Sequence, residues 1–295
     1  MIRYLTEKNV EQLLTMPLAI EAVEQALKDR ALSRAVDVPR VRAHIPAGTL
    51  HMVLGAASEL GYIGFKGYYA LHGKGTRYYL NLFNTASGKL DAIIDASYLG
   101  MIRTGAASGV ATRHMAREDA AVVAMIGAGK QAIGQLEAVC AVRAVRKIRV
   151  YNRTPARAEK FCALMASRVK APLKIVPSVA DAVQGADIIN LVTKAAAPIL
   201  SGNQLEPGQH INAAGSNALS RREIDDECVR RCGTIVVDAR GTARQECGDL
   251  LPLVEKGLLD WESLPELGEV IAGRVSGRNS KEEITLYESH GMAVQ

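Results

Sequence analysis

The stretch AVVAMIGAGKQAIG, residues 121–134, constrains this chain more than any other. Ala121 to Ile126 are continuously apolar, so a strand there buries both of its faces, which calls for a parallel sheet covered by helices. The run stops at Gly127, and Ile133, Leu136, Val139 and Cys140 then recur at helical spacing. The order is strand, glycine turn, helix. In that setting Gly127 permits a tight bend, Gly129 lets a pyrophosphate approach the backbone, and Ala132 keeps the helix against the strand. A dinucleotide-binding turn is the expectation.

The next strand, IRVYN, ends about 20 residues beyond Ala132, where the ribose-reading residue of such a fold stands. An acid there would bond the ribose hydroxyls of NAD and repel a 2′-phosphate. This chain has Asn152, Arg153 and Thr154, all donors, so NADP(H) is the favoured cofactor and NAD(H) the second choice. Thr154 and Pro155 also suit the start of a helix. Ala128, Lys130, Gln131, Val192 and Thr193 complete the set of candidate cofactor contacts. LKIV, DIINLVT, HINAAG and TIVVD continue the alternation of strands with helices, which gives a Rossmann-type doubly wound parallel sheet.

The first third reads differently. Thr6 caps a short helix and Pro17 opens a longer one; RVRAHIP, HMVLGAA, YIGFKGYYAL, RYYLNLF and KLDAIID then form a mostly antiparallel sheet. Residues 1–112 are expected to make an α+β domain, to which 283–295 return, and 113–282 the nucleotide-binding domain. Between them YLGMIRTGAASGVATRHM is helical. A net charge of +5 without aromatic-laced basic stripes speaks against nucleic acid, and the five cysteines show no metal or disulfide spacing. No apolar run reaches the roughly 18 residues of a membrane span, and MIRYLTEKN lacks a signal-peptide core, so the cytoplasm is expected. His44, His51, His72, His114, His210 and His290 form no metal spacing and read as structural or surface residues, with His44 the exception because it follows Arg42 on the same strand face.

IRTGAASGVATRHMAREDAAVVAMIGAGKQA, INAAGSN with REID, and LGEVIAGRVSGR with EITLYESHGMA together resemble the ornithine cyclodeaminase and μ-crystallin family over nearly the whole chain. The resemblance implies that 1–112 with 283–295 is the substrate-binding and dimerisation domain of a homodimer, with NAD(P) on the Rossmann domain, an imino or amino acid bound between the domains, and hydride transfer at its α-carbon. Carried over by position, it makes Arg42, Lys66 and Arg103 the ligands of the substrate carboxylate, Thr104 a contact to the cofactor phosphates, and Gly291 a neighbour of the nicotinamide. Lys66 and Arg103 lie in apolar or glycine-rich surroundings, where an unpaired charge is costly. Asn217 departs from the family's cyclodeaminases and alanine dehydrogenases, which the resemblance gives an aspartate there; an amide cannot serve as a general base.

These expectations converge on NADPH-dependent reduction of a cyclic ketimine, Δ1-pyrroline-2-carboxylate or Δ1-piperideine-2-carboxylate, to L-proline or L-pipecolate, with Lys66 or a water it orders as proton source. The alternatives are an ornithine cyclodeaminase or alanine-type dehydrogenase, and a non-catalytic NADPH-dependent binding protein of the crystallin kind.

Overall fold

The computed structural model describes residues 1–71 and 76–295, so His72 lies outside the described residues. Two sheets organise the chain. The first contains β1 (Arg3–Leu5), β2 (Ala35–Ile45), β3 (Gly48–Ala57), β4 (Tyr62–Leu71), β5 (Tyr78–Asn84) and β6 (Leu90–Asp95), in the spatial order β1-β6-β5-β4-β3-β2. Only β1 and β6 pair in parallel; the other neighbours are antiparallel. Helices α1 (Glu7–Leu13) and α2 (Met16–Ala31) precede this sheet, and α3 (Ser97–Met115) leaves it. Thr6 caps α1 and Thr15 caps α2, each accepting a backbone N–H with its side chain.

The second sheet is wholly parallel. Its strands are β7 (Val122–Ile126), β8 (Lys147–Tyr151), β9 (Leu173–Ile175), β10 (Ile188–Leu191), β11 (His210–Ala213), β12 (Cys232–Val237) and β13 (Ile284–Glu288), in the order β12-β13-β11-β10-β7-β8-β9. Helix α4 (Lys130–Val142) follows β7, α5 (Pro155–Met165) follows β8, α6 (Val179–Val183) follows β9, α7 (Asp226–Arg231) precedes β12 and α8 (Arg240–Glu246) follows it. Strand β13 corrects one expectation. It does not return to the first sheet but is threaded between β11 and β12, because all five of its residues are buried and need cover on both faces. The segment beyond it does reach back, where Asp37 of β2 accepts the backbone N–H groups of Ala293 and Val294.

Helix α3 spans the expected boundary at 112–113 and is buried nearly all round, with Ile102, Ala106, Val110 and Ala111 shielded from solvent. It packs on α2 on one side and α4 on the other, and so ties the two sheets into one body. In β2 an extra residue between Val38 and Val41 forms a bulge. Val36, Val38, Val41 and Ile45 therefore share the exposed outer face with Leu50 and Ile63, while Arg42 joins His51, Lys66 and Tyr68 on the inner face. Among the described residues no helix is long and apolar enough to cross a membrane.

Candidate active site

The inner face of the first sheet meets the C-terminal ends of β11 and β13 across a cavity of about 210 Å³. Ligands of open parallel sheets bind at such carboxyl ends. Strand β4 contributes Lys66 and Tyr68, β5 contributes Tyr78, and the β2 bulge contributes Arg40. Helix α3 adds Arg103 and Thr104, the first turn of α4 adds Lys130 and Gln131, and the loops after β11 and β13 add Asn217, His290 and Gly291.

Among the described residues no carboxylate lines this space, and three of its cations, Arg40, Lys66 and Arg103, are enclosed. Arg40 donates through Nε to Glu246 (3.0 Å), through Nη1 to the Tyr68 hydroxyl (2.7 Å) and through Nη2 to the carbonyl of His290 (3.0 Å). Arg103 donates to the Gln295 amide oxygen at 2.9 Å, and its Nε is buried without a partner. Lys66 has no hydrogen-bond partner among the described residues. Burial, with Arg103 and Arg40 beside it, holds the Lys66 ammonium well below the usual lysine range, and burial next to Arg40 brings Arg103 down to about 10. Such a cavity carries positive charge that no lining residue compensates, which suits it to an anionic ligand.

The glycine turn sits at the edge of the same cavity. Gly127 has φ +108°, and a Cβ there would stand 2.5 Å from the carbonyl oxygen of Val192. Ala128 donates its N–H to the Asn152 side chain, whose amide donates in turn to the carbonyl of Thr154. Nothing lies within 4 Å of the position a Gly129 Cβ would take, and the N–H groups of Gly129, Lys130 and Gln131 have no acceptor among the described residues. Open space before unpaired N–H groups at the start of a 13-residue helix fits a dinucleotide's diphosphate. Ala132 is fully buried beneath the turn. At the end of β8, Arg153 and Thr154 are exposed, and the Thr154 hydroxyl does not cap α5, which leaves it available.

A model of the ornithine cyclodeaminase/mu-crystallin family matches residues 3–295. The chain belongs to that family. It is 40% identical over 209 residues to a Delta(1)-pyrroline-2-carboxylate reductase of Bacillus cereus, a match covering 70% of this chain and 64% of that relative, just under two thirds of its length. Among solved structures, Thermococcus litoralis Delta(1)-pyrroline-2-carboxylate reductase in complex with NADH and L-proline has a TM-score of 0.94 and 31% identity, covering 100% of this chain and 93% of that one. An archaeal alanine dehydrogenase dimer with bound NAD has a TM-score of 0.92 and 31% identity, covering 99% and 92%.

Within this family member the structure brings Lys66, Arg103, Thr104, Lys130, Gln131, Asn217 and Gly291 around one cavity. Arg42 is a correction. It lies off the cavity, where Glu246 and the backbone carbonyl of Asn217 take its guanidinium, and Arg40 stands in the place expected for it. The β2 bulge makes that exchange, and no local sequence pattern announces it. Thr104 does reach the cavity, but its hydroxyl donates to the carbonyl of Gly100 one helical turn back, at 2.7 Å. Gly291 has φ +84°, and a Cβ there would stand 2.8 Å from Arg103 Nη1, so the glycine makes room for the guanidinium.

Val192 and Thr193 follow β10, and Thr193 is held through its N–H and hydroxyl by Glu223, both at 2.7 Å. The other oxygen of Glu223 accepts the N–H of Gly215 at 2.8 Å, so one buried carboxylate fixes the loops after β10 and β11. Burial raises its pKa to about 7 despite those bonds. His44 faces Thr49 away from the cavity, whereas His290 lines it and His51 stacks on Tyr68. The functional residues that sequence reasoning misses are therefore Arg40, Tyr68, Tyr78, Glu223 and His290. Tyr68 has one usable signal, its position two residues from Lys66 on the same strand face.

Proposed function

We propose that this chain reduces a cyclic ketimine bearing a carboxylate, Δ1-pyrroline-2-carboxylate or Δ1-piperideine-2-carboxylate, to L-proline or L-pipecolate with NADPH. The observation that carries this is the cavity with three enclosed cations and no carboxylate among its described lining residues, open to the glycine turn. Relatives named as pyrroline-2-carboxylate reductases, one solved with NADH and L-proline, support the substrate class. When bound, the nicotinamide supplies the hydride that the imine α-carbon accepts.

The chain's own residues bind and orient. Lys66 and Arg103 take the carboxylate oxygens, with Arg40 adding charge behind them, and charge-assisted bonds of this kind fix a small planar acid in one orientation. Burial strengthens them, since little water is left to compete. The N–H groups of Gly129 to Gln131 hold the diphosphate, and Arg153 with the Thr154 hydroxyl holds a 2′-phosphate, which favours NADPH over NADH. Asn217 presents an amide to the cavity; it can donate or accept a hydrogen bond but cannot take the proton that ornithine cyclisation requires. The apolar outer face of the first sheet is the surface on which a second copy packs.

The test is a set of absorbance assays with NADPH or NADH. Each imine, a 2-oxo acid with ammonia, and L-ornithine are offered in turn. Oxidation of NADPH with the imines, faster than of NADH and indifferent to ammonia, is expected. Turnover only with 2-oxo acid plus ammonia, ammonia release from ornithine, or NADPH binding with no turnover of any mixture would each overturn the reading.

A further inference from the structure

Tyr68 follows Lys66 on the inner face of β4, and both side chains line the cavity. Its ring is held from two sides by its cross-strand neighbours. His51 of β3 stacks on it with centroids 4.5 Å apart and planes 6° from parallel, and Tyr78 of β5 lies against it at 4.6 Å. The hydroxyl oxygen accepts a hydrogen bond from Arg40 Nη1 at 2.7 Å. No described residue accepts the proton this hydroxyl carries. A rigid phenol with a guanidinium on its oxygen and its own proton unclaimed, inside the substrate cavity, is arranged as an acid.

We propose that Tyr68 is a catalytic residue that gives the imine nitrogen its proton, which rests on the ketimine reading above. As the α-carbon accepts the hydride with its electron pair, the π pair of the C=N bond moves onto nitrogen. Nitrogen forms its new N–H bond with the proton of Tyr68 Oη, and the O–H bonding pair stays on oxygen. The phenolate so formed faces Arg40, and water returns the proton once product has left.

The surrounding charges favour that direction. Arg40 on β2, Lys66 on β4, Arg103 on α3 and Lys130 on α4 are the cations of the cavity, His290 lines it after β13, and Tyr78 is neutral. The acids nearby among the described residues are Glu246 of α8, already bonded to Arg40, and buried Asp238 after β12, which accepts the N–H groups of His290 and Gly291 and lies near Arg103. His51 is pushed down to about 4 by burial and by Arg40 and Arg42, so it stays uncharged at neutral pH. Lys66 is the poorer donor once substrate is bound, because the carboxylate it holds stabilises its ammonium.

Tyr68→Phe keeps the ring and removes the proton. NADPH affinity equal to wild type serves as the check that the variant is folded. For the variant, kcat with the imine is expected to fall about tenfold per pH unit above the pH at which free imine loses its own proton, reaching about 10²-fold below wild type. At acid pH, where the substrate arrives already protonated, the two rates converge, and KM changes little throughout. Wild-type turnover with parallel profiles for the two proteins, or a variant changed in KM alone, overturns the role of Tyr68 by itself. A wild type that leaves the imine untouched removes the ketimine reading and this inference together.

Discussion

A buried ammonium near two guanidinium groups, with no ion-pair partner among the described residues, is a poor resting state and a good receptor. That describes Lys66. A charge-assisted bond to a substrate carboxylate contributes about 1.5–3 kcal/mol, or roughly 10- to 150-fold in affinity. Lys66→Met is therefore expected to raise KM for the imine by that factor and leave NADPH affinity unchanged, as read from initial rates and cofactor titration. The pH dependence has a fixed sign: the anion needs the ammonium form, whose pKa burial and its neighbours have lowered, so wild-type affinity for L-proline falls as pH rises through that lowered value. The Met variant should lack this fall; an identical pH profile in both proteins would remove Lys66 from the clamp. Lys66 and Arg103 stand out in the sequence because charge in apolar or glycine-rich surroundings is costly without a purpose. Arg40 does not separate from Arg42 in the same way, since the choice depends on one extra residue in a strand.

At the scale of elements, what is legible in the sequence is whatever is local. The apolar run before Gly127, the spacing after it and the arrival of β8 define strand, turn and helix without long-range information. Asn152 illustrates the limit. Its type and place make it a donor toward a phosphate, yet its amide spans the turn from Ala128 to the carbonyl of Thr154, so the donors left facing outward are those of Arg153 and Thr154. Strand β13 shows the same limit in topology. Its run of buried residues is visible in ITLYE, but its partners, β11 and β12, are far away in the chain, and nothing local says which sheet takes it. The Glu223 clamp is equally hidden, because a carboxylate that joins the N–H groups of Thr193 and Gly215 is defined only when two strand ends come together.

For the whole molecule, the outer face of the first sheet is the feature a lone chain leaves unexplained. Val41 and Ile63 are 56% and 50% exposed, with Val36, Val38, Ile45 and Leu50 on the same surface. Contiguous apolar faces of this kind mark protein contacts. Sedimentation of the wild type is expected to give twice the 31.6 kDa of one chain, and Val41→Glu with Ile63→Glu to give the single-chain mass. A monomeric wild type, or a charged double variant that stays dimeric, would place the contact elsewhere or nowhere. The central claim concerns one cavity that joins a carboxylate to a nicotinamide coenzyme, and the measurement that reaches it most directly is a crystal structure of the protein with NADP and L-proline. The expected map has the proline carboxylate on Lys66 and Arg103, with the coenzyme diphosphate on the N–H groups after Gly127. Proline bound away from those two cations, or a diphosphate elsewhere than that turn, would contradict the account.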